Sequence, residues 1–125
     1  MKIRKATVRD WSAVLRLIRE NPKHLMQDHL PRVSEFFVAV EDGEVLGCCA
    51  LEIYSKRLAE VRSLAVAAHC RRTGIATQLV DKCLAHAKKK GIYETLAISG
   101  ALSFFEKHGF RTFQEEKYAL FKILG

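Results

Sequence analysis

The residues with the most chemical potential fall in one continuous run. Ala59-Glu60-Val61-Arg62-Ser63-Leu64-Ala65-Val66 reads as a strand with a carboxylate among apolar positions. It leads to the turn Arg71-Arg72-Thr73-Gly74-Ile75-Ala76, which opens an amphipathic stretch. The first turn of a helix leaves backbone N–H groups without internal partners, and with the helix dipole these favour a phosphate. Gly74 and Ala76 lack bulk, so a pyrophosphate can approach the backbone, while Arg71 and Arg72 add positive charge. Taken alone the turn has a plainer reading, because basic residues and a glycine are common between a strand and a helix. Glu60 sharpens the case. On an extended strand Glu60, Arg62, Leu64 and Val66 share one face. The carboxylate is then either half of an exposed Glu60–Arg62 ion pair, worth little, or a general base at the inner end of a cofactor cleft.

The elements that must position these residues follow from periodicity. Residues 3–6 read as a short strand. Thr7 with Asp10 three residues on has the form of a helix cap, and Trp11, Val14, Leu15 and Ile18 continue at helical spacing to about residue 20, where Asn21-Pro22 ends the helix. Residues 36–40 form an apolar strand, Asp42-Gly43 a hairpin turn, and residues 45–53 and 59–66 two further strands of an antiparallel meander. After Gly74, the row Ile75, Leu79, Cys83 and Ala87 and the adjoining row Ala76, Val80 and Leu84 make a wide apolar stripe. Lys88-Lys89-Lys90 and Gly91 close that helix. Residues 95–98 form a short buried strand, parallel to its partner because a helix connects them. A third helix spans 101–108, and residues 110–113 and 118–123 read as a closing hairpin. The order β-α-β-β-β-α-β-α-β-β describes one α/β layered domain over residues 1–125 with a mixed sheet.

Composition narrows the function. The chain has 125 residues, 49% of them apolar, which suits a single domain with a real core. No run approaches the roughly 18 apolar residues of a membrane span, and the basic N-terminus has no apolar stretch behind it, so a cytoplasmic protein is expected. The four cysteines are Cys48, Cys49, Cys70 and Cys83, with no C-x-x-C pair. Neither they nor the five histidines show metal-ligand spacing, so no metal is expected. The net charge of +7 favours an anionic partner without naming it.

The motifs themselves do more. Glu60-Val61-Arg62-Ser63-Leu64-Ala65-Val66 followed by Arg71-x-x-Gly74-x-Ala76 resembles the acetyl-CoA motif of the GNAT acetyltransferases. Phe104-Phe105-Glu106-Lys107-His108-Gly109-Phe110 resembles the last helix of that family and its Gly-Phe exit. The order of elements agrees, so the resemblance covers nearly the whole chain. It implies a mixed, mostly antiparallel sheet with helices on both faces, and acetyl-CoA as cosubstrate. The strand around Leu64, Ala65 and Val66 would splay from the parallel strand near residues 96–98 and hold pantetheine by its backbone. The amides of Arg72, Thr73, Gly74, Ile75, Ala76 and Thr77 would hold the pyrophosphate, with Arg71 adding charge beside them. Glu60 matches the position of the base in some members, and an amide near Leu64 or Ala65 would stabilise the oxyanion. One departure is Phe105, where many members carry a tyrosine that protonates the leaving thiolate. A thiol has a pKa near roughly 8.5, so its thiolate leaves tolerably unaided.

Within the family the motifs are most similar to the glutamate N-acetyltransferases of arginine biosynthesis. That implies a primary amine acceptor, glutamate or another small amino acid, with Arg62 and Arg32 as candidates for its carboxylates. The stretch 21–35 is short for that group. Two other classes compete. A relative that binds CoA and regulates a partner would fit the loss of the tyrosine, but the retained Glu60 argues against it. A nucleic-acid module would need more than the lysines at 82 and 88–90, which read as a solvated complement to a helix dipole. Neither nucleic acid nor membrane is expected as a partner, and a homodimer is left open.

Overall fold

In the computed structural model, which describes residues 1–112, alternation along the strands decides the architecture. Strands β1 (Lys2–Lys5), β2 (Phe36–Glu41), β3 (Glu44–Ile53), β4 (Leu58–Val66) and β5 (Glu94–Leu96) form one sheet in that order. The first four are antiparallel, and β5 runs parallel to β4. Helix α1 (Trp11–Arg19) follows β1, α2 (Ile75–Lys89) crosses from β4 to β5, and α3 (Leu102–Lys107) follows β5. Phe36 and Val38 of β2 pack with Val14, Leu17 and Ile18 of α1, whereas Phe37 and Ala39 pack with Leu79, Val80 and Cys83 of α2. Period-two strands thus give the sheet two apolar faces, each covered by a helix. Phe105 of α3 joins the α2 side.

Local signals are honoured with small shifts. Thr7 caps as expected, its backbone N–H donating to Asp10 Oδ2 at 2.7 Å, but the first turn (Val8–Asp10) is a 3-10 helix and α1 proper begins at Trp11. Asp10 is 7% exposed and accepts two hydrogen bonds from the Arg4 guanidinium, at 2.7 and 3.1 Å. The hydrogen bond from Arg4 outweighs the cost of burial and holds the Asp10 carboxyl down to about 2. A carboxyl depressed in the folded state stabilises above its ordinary pKa, and that stability is lost as pH falls through the folded value. Asp10→Asn should therefore cost about 1–2 kcal/mol at neutral pH and flatten the loss of stability between about pH 4 and pH 2, as read by denaturant titration across that range.

Two backbone features set up the site. The first is Gly47 on β3. A Cβ there would lie 3.0 Å from Leu79 Cδ1, 3.1 Å from Ile75 Cγ2 and 3.2 Å from the Ala65 carbonyl oxygen. The glycine lets the start of α2 settle close against the sheet. The second is a bulge in β4. Pairing runs Leu51 with Val61 and Ala50 with Arg62, then Cys48 with Ala65, so β4 carries one extra residue. Within it Ser63 has φ +55°, in the left-handed region. A single inserted residue inverts the alternation beyond it. Ala59 and Val61 face α2, and so do Leu64 and Val66, while Ala65 faces α1. This corrects the expectation that Glu60, Arg62, Leu64 and Val66 share a face. Glu60 and Arg62 lie on the α1 side, and Leu64 and Val66 on the other.

Beyond the pair Glu60–Leu96 the ladder between β4 and β5 ends, so the second half of β4 has no β5 partner. Strand β5 stops at Leu96, two residues short of the expected end. The closing hairpin expected over 110–113 and 118–123 lies outside the described residues, except that 110–112 carry no regular structure. No helix among the described residues is long and apolar enough to cross a membrane.

Candidate active site

Where β4 and β5 part, two hollows adjoin. The inner one, of about 840 Å³, is lined in part by Tyr54, Glu60, Arg62, Leu64 and Phe105. The outer one, of about 560 Å³, is lined in part by Ala65, Val66, Arg71, Arg72 and the residues Gly74, Ile75, Ala76 and Thr77. Leu64 and Asn21 line both, so the cleft is continuous and passes over the bulge. A bulge leaves backbone groups without ladder partners, which makes this stretch of β4 available to a ligand.

The outer hollow suits a phosphate on three counts. Gly74 has φ +85° and immediately precedes α2, a conformation that costs any other residue strain. A Cβ on it would meet no protein atom within 4 Å, so the glycine answers to φ and to an approaching ligand, not to packing. The Gln78 N–H donates to the Gly74 carbonyl at 3.1 Å, and the amides of Ile75, Ala76 and Thr77 precede that first helical bond. Arg71 and Arg72 flank the opening. Arg71 Nη2 donates to Asn21 Oδ1 at 3.0 Å, and Asn21 Nδ2 to the Leu17 carbonyl at 2.9 Å, which ties the end of α1 to the turn. Thr73 alone of the run turns away, its hydroxyl donating to the Cys70 carbonyl.

The inner hollow holds the ionisable groups. Glu60 stands directly opposite Glu52 of β3. Arg62 does not pair with Glu60, as the plainer sequence reading supposed. Its Nη1 lies 2.5 Å from Glu52 Oε2, and its Nη2 donates to the His29 carbonyl at 3.0 Å. Arg62 therefore straps the loop after α1 onto the sheet and neutralises Glu52. Glu60 has no ion-pair partner among the described residues and accepts a hydrogen bond from the Tyr54 hydroxyl. Desolvation of that hydroxyl, then its bond to Glu60 and the charges of Glu60 and Glu52, raise the Tyr54 pKa well above its ordinary value. Tyr54 is therefore a neutral donor at any working pH.

Phe105 is buried, lines the inner hollow and stacks edge-on to Phe104 and Phe110, with centroids 5.1 and 5.3 Å apart. It is a wall and can donate no proton. Arg32 lies apart from these residues. It begins an exposed 3-10 turn (Val33–Glu35), its side chain is 87% exposed, and it lies 3.7 Å from Glu35. It lines neither hollow. Sequence reasoning missed Tyr54, Glu52 and Asn21. Glu52 and Tyr54 stand two apart at the end of a strand, which places them on one side, but only the register shows that Glu60 is that side's neighbour. Among the described residues no group of three His, Cys, Asp or Glu side chains can hold a metal ion.

Comparison with known proteins agrees with this geometry. The family described as acetyltransferase (GNAT) domain matches residues 32–112. An N-acetyltransferase of Chlorobaculum tepidum is 32% identical over 122 residues, 93% of this chain and 79% of the relative. An amino-acid acetyltransferase of Mycobacterium tuberculosis is 30% identical over 116 residues, 86% of this chain and 67% of the relative. Among solved structures, Rv2747 from Mycobacterium tuberculosis in complex with CoA and NLQ superposes with a TM-score of 0.85 at 29% identity, covering 90% of this chain and 73% of that one. N-acetylglutamate synthase from Neisseria gonorrhoeae, complexed with coenzyme A and N-acetyl-glutamate, gives 0.83 at 28% identity, over 94% of this chain but only 30% of that one.

Proposed function

The chain belongs to the GNAT acetyltransferase family and is an N-acetyltransferase that uses acetyl-CoA, and from that premise we propose that it acetylates the α-amine of a small acidic amino acid, with Glu60 as general base. The observation that carries the reading is the state of Glu60. It is a carboxylate on the wall of an apolar hollow, with no cation on it among the described residues and Arg62 two residues along the same strand face. A carboxylate not committed to an ion pair can accept a proton.

Acetyl-CoA supplies an activated thioester. The chain's own residues do the rest. The Gly74, Ile75, Ala76 and Thr77 amides, with Arg71 and Arg72, hold the pyrophosphate. The backbone of Leu64, Ala65 and Val66 aligns the pantetheine arm past the bulge and presents an amide to the developing negative charge. Glu60 removes the proton from the acceptor amine, directly or through one water. No side chain is needed at Phe105 to protonate a thiolate that is already a fair leaving group. For a dicarboxylic acceptor Arg62 supplies the cation, its guanidinium exchanging Glu52 for the substrate carboxylate. The synthase relative solved with N-acetyl-glutamate supports an acidic acceptor. Four free cysteines suit a reducing compartment such as the cytoplasm.

The test is release of free thiol from acetyl-CoA with a panel of glutamate, aspartate, glutamine, neutral amino acids, polyamines and a lysine peptide. Turnover highest on the acidic amino acids is expected. Turnover only on polyamines or the peptide would overturn the acceptor class, and failure to bind acetyl-CoA would overturn the site.

A further inference from the structure

The inner hollow contains one polar contact that neither the family motifs nor the proposed chemistry uses. Tyr54 follows β3 directly, and its backbone N–H donates to the Leu58 carbonyl at 3.0 Å, so its Cα is fixed by the hairpin. Its hydroxyl lies between the two opposed carboxylates. The approach to Glu52 Oε2 is 3.4 Å, while Glu60 Oε1 is much closer. A phenol has one proton, and the geometry commits it to Glu60. We propose that Tyr54 is the positioning residue of the base, holding Glu60 by Oε1 so that Oε2, which accepts no hydrogen bond among the described residues, meets the acceptor amine. This rests on Glu60 being the base.

The surroundings explain why such a residue is needed. Glu52 and Glu60 are directly opposed like charges, which repel across a sheet. Arg62, two residues along the same strand face, has both outer nitrogens engaged, on Glu52 and on the His29 carbonyl. Among the described residues, the Tyr54 hydroxyl is the one side-chain hydrogen bond on Glu60. The anchor is also the right kind of group. A guanidinium on Glu60 could occupy both carboxylate oxygens in a bidentate pair, whereas a single hydroxyl engages one and leaves the other open. Among the described residues, the titratable groups around Glu60 are Glu52 and Tyr54 at the end of β3, Arg62 on β4 and His24 in the loop after α1. On β5 the residue opposite is Leu96.

The experiment compares wild type, Tyr54→Phe, Glu60→Gln and the double variant. Tyr54→Phe deletes one oxygen and keeps the ring. It should lower kcat about 5- to 30-fold, the equivalent of one hydrogen bond, with acceptor KM and acetyl-CoA affinity within about twofold. In the Glu60→Gln background the same change should cost nothing more, since the two act through one interaction. Unchanged kcat in Tyr54→Phe, or a further full loss when it is added to Glu60→Gln, would overturn the proposal while leaving the base intact. Wild-type turnover in Glu60→Gln would overturn the base assignment and this proposal with it.

Discussion

Glu60→Gln should lower kcat by about 10²- to 10⁴-fold, the range spanned by loss of a general base, while acetyl-CoA affinity stays within about twofold. Glutamine has nearly the shape of glutamate and keeps an oxygen for the Tyr54 hydroxyl, so the local packing survives. What disappears is the ability to take a proton from an amine that is cationic at neutral pH. The proposed phosphate-binding turn should be untouched, because Glu60 lies in the inner hollow and Gly74, Ile75, Ala76 and Thr77 line the outer one. The measurement is thiol release at saturating acetyl-CoA across pH, with binding followed separately by calorimetry. In the variant, residual rate should climb with pH as the free amine becomes abundant. A variant that also loses acetyl-CoA would mean that Glu60 holds the cleft together instead of moving a proton.

Gly74→Glu should weaken acetyl-CoA binding by about 10²-fold or more and abolish the gain in melting temperature that acetyl-CoA confers on the wild type. Two effects combine. Any side chain at φ +85° strains the backbone, by about 1–2 kcal/mol. A carboxylate at this position then stands where the phosphate charge must sit. Gly74→Ala separates them. Its Cβ meets no protein atom within 4 Å, so only the strain remains, and affinity should fall less than about tenfold. Equal losses in the two variants would show that the turn's conformation, not its charge, controls binding.

The two predictions draw on different levels of the chain. The turn was legible in the sequence because every signal in it is local. Gly74 ahead of an apolar stripe starts a helix wherever it occurs, and the arginines beside it come with it. The two-residue turn Asp42-Gly43, the Thr7–Asp10 cap and the stop at Asn21-Pro22 belong to the same class. Each is decided by residues within one turn of one another. The α2 helix and the four antiparallel strands fell within a residue or so of where those signals put them, and α1 began at Trp11 after a 3-10 turn.

The inner hollow was only partly legible. Glu60 stood out because a carboxylate on an apolar strand needs a reason. Its partners did not, because they come from another strand, and a register is set by the whole sheet. The bulge at Ser63 is the clearest case. Simple alternation put Glu60, Arg62, Leu64 and Val66 on one face, and one inserted residue divided them between two. That division leaves Glu60 in the inner hollow, where we propose it acts as base, and puts Leu64 at the junction of the two hollows. Arg32 and Arg62 looked alike as cations near a substrate, and only packing put one in solvent beside Glu35 and the other in the wall beside Glu52. The sequence by itself determined the order of the described elements and the basic, glycine-capped turn ahead of α2, since neighbouring residues encode both. The tertiary structure alone decided which side chains face the acceptor, because that depends on strand pairing, where a single extra residue reverses every orientation after it.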